Sequence, residues 1–523
     1  MINLRSLLVP LVLVARVVLA DACENVPEPI IYPRKGPIVD SQDLNSTSFI
    51  GSPANATCLG LLYKFYPDAS LMHGNGGNSG ARDEAGPLGH NPNVTSEANT
   101  INMMVWGADG SLTGGYANTS NGGTPALGLV ALEPDTLQVL ASWYPPDNET
   151  LRLSYLEYIQ VTNDIVLSTK QGHIYVVHRD TCNGTPYFTT IRTIALADEM
   201  QPGEQLLNAM YDTAGNIWFT TGGTINGGDA PQTSSTYGYI TTQNKVIKNH
   251  ISDEMMENGI AVSGTNIFMV TGPTNASTSS NSSTATGYMY SLTSTTNHTS
   301  IKINWRVPYT GESQPFPRGS GTSPALLTNK YVAITDRSGS QVNLNIYHQS
   351  PQPDPAAQQL ACQIPLFALG ASNADNAVLA HFDGEHYSFI VQNNYGIPDV
   401  YSPKSSQPVD VNGKWNDMSS MPGGMARIDI HPDNNTCEIV WTNELAIKSV
   451  SVLSTGSGLV YVYTQDRERA KTGEYVWYVA GVEWASGEVV WKVKTGMGGV
   501  FNDNYLQGTV GNGGGFYQGV LGG

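Results

Sequence analysis

Charge is scarce in this chain. Only 13% of its 523 residues are Asp, Glu, Lys or Arg, and 26 basic side chains face 44 acidic ones. Few cations and a net charge of −18 exclude a binder of the nucleic-acid backbone, because that affinity comes from Lys and Arg neutralising phosphates. The same balance excludes attachment to an anionic membrane surface. Cysteine is rare too: Cys23, Cys58, Cys182, Cys362 and Cys437 are widely spaced, with no C-x-x-C pair to form a zinc ribbon or redox motif. Beyond the first twenty residues no apolar run approaches the roughly 20 residues that a spanning helix needs, so no stable membrane insertion is expected. H-E-x-x-H, G-x-S-x-G, a P-loop and a dinucleotide fingerprint are all missing. The ten histidines are scattered without a metal-binding cluster, and His90, in a Pro- and Asn-rich stretch, reads as a loop residue.

What is present points to strands and turns. The chain holds 55 glycines and 30 prolines, yet 40% of its residues are apolar, enough to fold around a large core. Residues 1–20 read as a signal peptide: Arg5 gives a positive start, Leu7 to Ala15 an apolar stretch, and Val18-Leu19-Ala20 a small-residue cleavage site. Losing Arg5 and Arg16 with this leader takes the charge from −18 to −20. Ten sequons, at Asn45, Asn55, Asn93, Asn118, Asn148, Asn183, Asn275, Asn281, Asn297 and Asn434, sit in polar, turn-like stretches and fit a secreted glycoprotein. In that compartment one or two disulfides are expected, Cys23 with Cys58 being the most local pair.

A short pattern recurs: a turn residue, an alternating apolar run, then Thr or a polar substitute. It begins at Asn163, Asn216, Asn266, Asn329, His386 and Gly458, at intervals of 53, 50, 63, 57 and 72. Each copy is preceded by one apolar run and followed by one or two more. A period of about 40 to 50, stretched by insertions, is that of four-stranded propeller blades. The fold expected is therefore an all-β propeller of six or seven four-stranded blades, the seventh represented by Leu127–Leu132 and Leu137–Trp143. A pair of β-sandwiches explains the strands but not their order within each repeat. Insertions at 274–284, 311–321, 350–355 and 398–422 read as exposed loops, and Gly511–Gly515 as another. The division expected is a leader (1–20), an N-terminal arm with loops lying over one face (21–120), and the propeller (121–523).

Aligned on the repeat, the residue leading into the first strand of successive blades is polar every time: Glu157, Asn208, Asn258, Ser323, Asn376 and Ser449. First strands are innermost in a propeller, so these positions ring the mouth of the axial channel, joined there by Glu257, Asp375 and Lys448. Two readings stand side by side. Asn and Ser cap tight turns between blades, or the ring binds a ligand, with the carboxylates available for acid/base work.

Glu157, Asn208 and Asn258 resemble the calcium-coordinating set of gluconolactonase and regucalcin-type propellers, which use Glu, two Asn and an Asp; Ser323 stands where that Asp would be. That likeness implies a calcium-dependent lactone hydrolase. Trp305, Trp441 and Trp491 on outer runs are similar to the strands of quinoprotein-like propellers, a likeness of blade architecture only.

The segments Glu257-Asn258-Gly259, Thr322–Leu327 with Val332–Arg337, and Val391–Gly396, together with length and leader, resemble the secreted, glycosylated propeller-like proteins of fungal meroterpenoid pathways. Some of these are hetero-Diels-Alderases that join a humulene-type alkene to a tropolone-derived o-quinone methide. The resemblance implies a cyclase of secondary metabolism with small apolar substrates and no cofactor. On that reading the ring found by aligning the repeats is the site, with catalysis at Glu257, Asn258 and Asp375 and substrate binding at Glu157, Asn208, Ser323, Asn376, Lys448 and Ser449: Asn208, Asn258, Asn376 and Ser323 would polarise the quinone-methide oxygen, and Glu257 or Asp375 would assist loss of water from its precursor. A non-catalytic extracellular binding propeller is a third reading.

Overall fold

The structure, a computed structural model, describes residues 26–30, 42–97, 101–118, 126–222, 234–274, 285–311, 319–336, 341–398 and 412–522. The leader, Cys23, Asn275 and Asn281 lie outside them. Seven antiparallel sheets follow one another along the chain as the blades of a propeller. Blade 1 is Ile101–Trp106, Leu112–Asn118, Ala126–Leu132 and Val139–Trp143. Its first two strands precede residue 121, so the propeller begins twenty residues before the boundary the sequence suggests. Blades 2 to 7 open on Glu157–Ile159, Leu206–Tyr211, Ala261–Ser263, Ala325–Leu327, Leu379–Phe382 and Val452–Ser454. The recurring pattern falls on the second strand of each, as in Tyr331–Thr335, where all five residues are buried. A strand covered on both faces reads as a continuous apolar run, since it has no solvent side to alternate with.

The core lies between blades. Leu344, Phe389 and Ile428 fill the space between blades 5 and 6, Trp218, Met269 and Tyr290 that between blades 3 and 4, and Ile165, Tyr175 and Met103 that between blades 1 and 2. The seam between blades 7 and 1 is built differently. Tyr461, Trp477 and Trp491 of blade 7 pack with Val510 and Phe516, whereas Trp106, Leu112 and Val130 of blade 1 pack with Tyr517. The two groups are separated by a hairpin of Gly508–Val510 and Phe516–Gln518. Gly511–Gly515, read as a loop, is its turn.

The N-terminal segment enters the ring. Ala69–Ser70 pairs with the innermost strand of blade 2, and Ala81–Arg82 runs parallel to that of blade 7. Between them, the carbonyls of Gly76, Gly77, Ser79 and Gly80 accept the N–H groups of Val262, Leu326, Ala380 and Leu453, at 2.7 to 2.9 Å. These donors belong to blades 4, 5, 6 and 7, so residues 68–82 run round the inside of the axial channel rather than only over one face.

Cys362 and Cys437 form a disulfide between the outermost strands of blades 5 and 6. Cys182 is also disulfide-bonded, and Cys58 is a free, exposed thiol, which overturns the expected Cys23–Cys58 pair. Sequon residues Asn45, Asn55, Asn93, Asn148, Asn183, Asn297 and Asn434 are exposed. Among the described residues no helix is long and apolar enough to cross a membrane.

Candidate functional site

The nine residues singled out around the axis lie at the inner ends of successive blades, and the side chains of Glu157, Asn208, Asn258, Ser323 and Asn376 join one blade to the next. Glu157 Oε2 accepts the Tyr211 N–H of blade 3 at 2.7 Å. Asn208 Nδ2 donates to Thr220 Oγ1 at 2.7 Å and to the Asn258 carbonyl of blade 4 at 3.1 Å. Asn258 Nδ2 donates to the Ser320 carbonyl, and Ser323 Oγ accepts the Gly259 N–H. Asn376 Nδ2 reaches the Lys448 and Ser449 carbonyls of blade 7. Lys448 Nζ bonds Asn502 Oδ1 and lies 3.6 Å from Asp503 Oδ1, with Trp477 beneath it. Asp375 accepts from Asn373 Nδ2 at 2.8 Å, and the Glu257 carbonyl accepts from Tyr155 OH at 3.2 Å.

Seven of the nine are buried, and Asn258 and Asp375 are half-buried. Burial, with a smaller push from Asp212, raises the Glu157 carboxyl to about 8 against the Tyr211 N–H, which lowers it. Burial likewise lowers the Lys448 ammonium and raises the Asp503 carboxyl, each partly offset by the other.

Glu157 Oε1 and Asn208 Oδ1 are among the side-chain oxygens of this ring that are buried with no hydrogen-bond partner among the described residues. Calcium takes about six to eight oxygen ligands, with carboxylates prominent among them, and Glu157 is the one carboxylate of the calcium-coordinating set that is present here. Ser323 Oγ, in the place of the missing Asp, is used by a backbone N–H. Among the described residues no three His, Cys, Asp or Glu side chains are grouped as metal ligands. The calcium-coordinating set is therefore incomplete in this ring.

A cavity of 720 Å³ opens elsewhere, at the seam between blades 7 and 1. Its walls are Tyr463, Val479, Trp491 and Val493 of blade 7, Ile101, Met104 and Leu132 of blade 1, the hairpin residues Phe516–Gln518, and the segment Gly86–Glu97. The hairpin explains why it exists. Gly508–Val510 lies against the innermost strands of blades 1 and 7, so the hairpin supplies the inner half of an eighth blade. The cleft lies beside the hairpin where the rest of such a blade would stand, bounded by the second to fourth strands of blade 7 and by the first and third strands of blade 1.

Local packing fixes these walls. Gly481 lets Trp491 lie flat on blade 7, since a Cβ there would come within 2.7 Å of the indole. Phe516 stacks on Tyr461 at 5.6 Å, and Tyr517 meets the edge of Trp106 at 5.2 Å. Tyr463 donates to the Phe501 carbonyl at 2.8 Å and accepts from Thr495 Oγ1 at 3.0 Å; burial holds its phenol well above the ordinary value, hence neutral.

Among the described residues, His90, Glu97 and Asp135, all exposed, are the His, Asp and Glu side chains of the wall, and neither Lys nor Arg lines the cleft. Such a site accepts neutral, largely apolar molecules and offers a phosphate or carboxylate nothing. His90, read as a loop residue, is in a loop and on this wall. None of the nine axial residues lines the cleft. Its walls come from separate stretches of chain, between Gly86 and Val520, that no repeat pattern links. The available signal was a Trp on an outer strand beside a Gly-rich turn.

No protein-family model matches the chain. It is similar to an uncharacterised protein of Archaeoglobus fulgidus, 24% identical over 243 residues, a match spanning 42% of this chain and 45% of that one. The fold is similar to that of the quinohemoprotein alcohol dehydrogenase of Comamonas testosteroni, with a TM-score of 0.51, 8% identity, and coverage of 83% of this chain and 74% of that one. Regucalcin, a calcium-binding protein of Agrobacterium tumefaciens, aligns with a TM-score of 0.31, 12% identity, and 58% and 86% coverage. At these identities the likeness concerns fold, and by fold the chain is a seven-bladed β-propeller whose ring is completed by a two-stranded wedge.

Proposed function

We propose that this protein is a secreted enzyme of fungal secondary metabolism that orients two neutral, apolar partners for hetero-Diels-Alder cycloaddition, and that the reaction takes place in the cleft between blades 7 and 1. The observation that carries the reading is the cleft: 720 Å³, aromatic-walled, and lined by no Lys or Arg among the described residues. Its volume lies within the range of small-molecule sites, about 300 to 1,000 Å³. In the cycloaddition one C–C and one C–O bond form between an alkene and the C=C–C=O unit of an o-quinone methide. No proton, electron or leaving group moves, so the protein needs no nucleophile. Holding both partners at reacting distance supplies the acceleration, and a hydrogen bond to the quinone-methide oxygen lowers the barrier further by drawing charge onto it. The exposed sequons support a secreted glycoprotein, and the Asn297 and Asn434 carbonyls each accept a bond from the hydroxyl of their own sequon Thr.

The test is product formation from a humulene-type alkene and a tropolonic o-quinone methide precursor, with and without chelator. The expected outcome is metal-independent adduct formation that falls by about a hundredfold in Leu88→Trp, which fills the cleft from a half-buried position. If Asn258→Ala or Glu257→Gln abolishes turnover while Leu88→Trp leaves it intact, the axial ring is the catalytic site. Chelator-sensitive lactone hydrolysis without adduct would replace this reading with the hydrolase.

A further inference from the structure

The cleft's apolar walls explain what they admit but not how a substrate oxygen is held, and the unfinished blade supplies the donors. In the hairpin, Gly511 N donates to the Gly515 carbonyl at 3.1 Å and Gly519 N to the Gln507 carbonyl at 3.4 Å. Hydrogen-bonded pairs alternate along an antiparallel ladder, so Thr509 and Tyr517 form the bonded pair between these two. Phe516 and Gln518, opposite Val510 and Gly508, then turn their N–H and C=O groups away from the partner strand, toward the place of a third strand. That place is the cleft, which Phe516 and Gln518 line. Neither N–H has a backbone partner among the described residues. The nearby wall residue Trp491 is 1% exposed, and its indole N–H has no partner among the described residues.

We infer that the outward N–H groups of Phe516 and Gln518 are the hydrogen-bond donors that hold and polarise a ring carbonyl of the substrate, so the substrate class is a planar, uncharged cyclic ketone. This rests on the cycloaddition reading of the same cleft. Backbone donors on a strand edge are fixed before the substrate arrives. A donor that needs no reorganisation is worth most where water is excluded. The two N–H groups lie about 7 Å apart, two residues along a strand, so one carbonyl takes one donor and leaves the other for a second oxygen. Gln518 is itself anchored, its Nε2 donating to the Leu506 and Gly519 carbonyls at 2.9 and 3.0 Å.

The probe pair is tropone and cycloheptatriene, the same ring with and without the oxygen, titrated into the full chain. Wild type is expected to bind tropone about tenfold more tightly, and the carbonyl stretch of bound tropone to lie below its value in apolar solvent. Gln518→Pro removes one outward N–H at an edge position where proline is tolerated; Gln518→Ala keeps the N–H and loses only the side chain. Gln518→Pro should lose about tenfold in tropone affinity relative to Gln518→Ala, with cycloheptatriene unchanged. Equal tropone affinity in the two variants overturns the donor assignment. If the proline variant does not fold, the wild-type measurement decides alone: a carbonyl stretch at the apolar-solvent value, or no preference for tropone, overturns it. Neither ring binding in a manner blocked by Leu88→Trp would instead overturn the cycloaddition reading.

Discussion

Glu157 has no exposed surface, and its second oxygen has no partner among the described residues. A buried carboxylate left that way is costly, and the proton it retains is the cheaper solution. Its carboxyl is raised from 4.5 to about 8. Between those values the folded protein holds a proton the unfolded chain has already released, so stability falls as pH rises, by about 1.4 kcal/mol per pH unit. Buried His73 works in the opposite direction. Its imidazole is lowered from 6.5 to about 4 by burial, so between those values the unfolded chain binds the extra proton and stability rises with pH. The two slopes oppose each other up to pH 6.5, and above it Glu157 acts without that opposition. Thermal unfolding followed from pH 5 to 9 should show wild type losing stability relative to Glu157→Gln between pH 6.5 and 8. Parallel curves for the two proteins would mean that Glu157 does not carry this proton.

At the level of elements, the strands best predicted were those whose burial the sequence encodes alone. The second strands of blades 2 to 7, such as Asn266–Pro273, are covered on both faces by neighbouring blades, and an unbroken apolar run announces each. Leu112–Asn118 of blade 1 carries Gly114 and Gly115 in mid-strand, where side chains from adjacent strands fill the space; with no apolar run to see, the strand was placed in an arm. Residues 68–82 lack periodicity for a different reason. They bond to the inner edges of many blades in turn, one or two residues each, and no repeating face results. The polar ring was legible as a set of positions, but its inter-blade bonds depend on blade spacing, which sequence does not carry.

The glycines of this axial segment carry a further prediction. Gly80 has φ +65, and a Cβ there would stand 2.2 Å from Leu379 Cδ2 of blade 6. Gly80→Ala therefore combines a left-handed backbone with a clash against a fully buried side chain, and should lower unfolding free energy by roughly 1–3 kcal/mol. Denaturant titration measures it; an unchanged midpoint would mean that the segment is not held inside the ring.

For the whole molecule, closure is the decisive question. Blade 1 is built from four consecutive strands, and blade 7 from four consecutive strands flanked by Phe49–Gly51 at its outer edge and Ala81–Arg82 at its inner one, so no strand is shared across the seam. The wedge does that work: Val510 and Phe516 pack on blade 7 and Tyr517 on blade 1, while Val450 bridges to Gln507 beside it. If the wedge is what keeps blades 7 and 1 apart and ordered, removing residues 507–523 uncovers Trp491, Tyr461 and Trp106 and leaves two blade faces without a partner. Local stability should then fall at the seam before it falls elsewhere. Hydrogen exchange should speed up by about tenfold or more in Ile101–Trp106 and Leu459–Gln465, while Tyr331–Thr335, across the ring in blade 5, keeps its protection. Tropone binding should disappear with it, because the cleft loses its inner wall. Were seven blades able to close on their own, blades 1 and 7 would meet directly and exchange at the seam would match that in blade 5; the wedge would then be an addition to a complete ring rather than part of its closure.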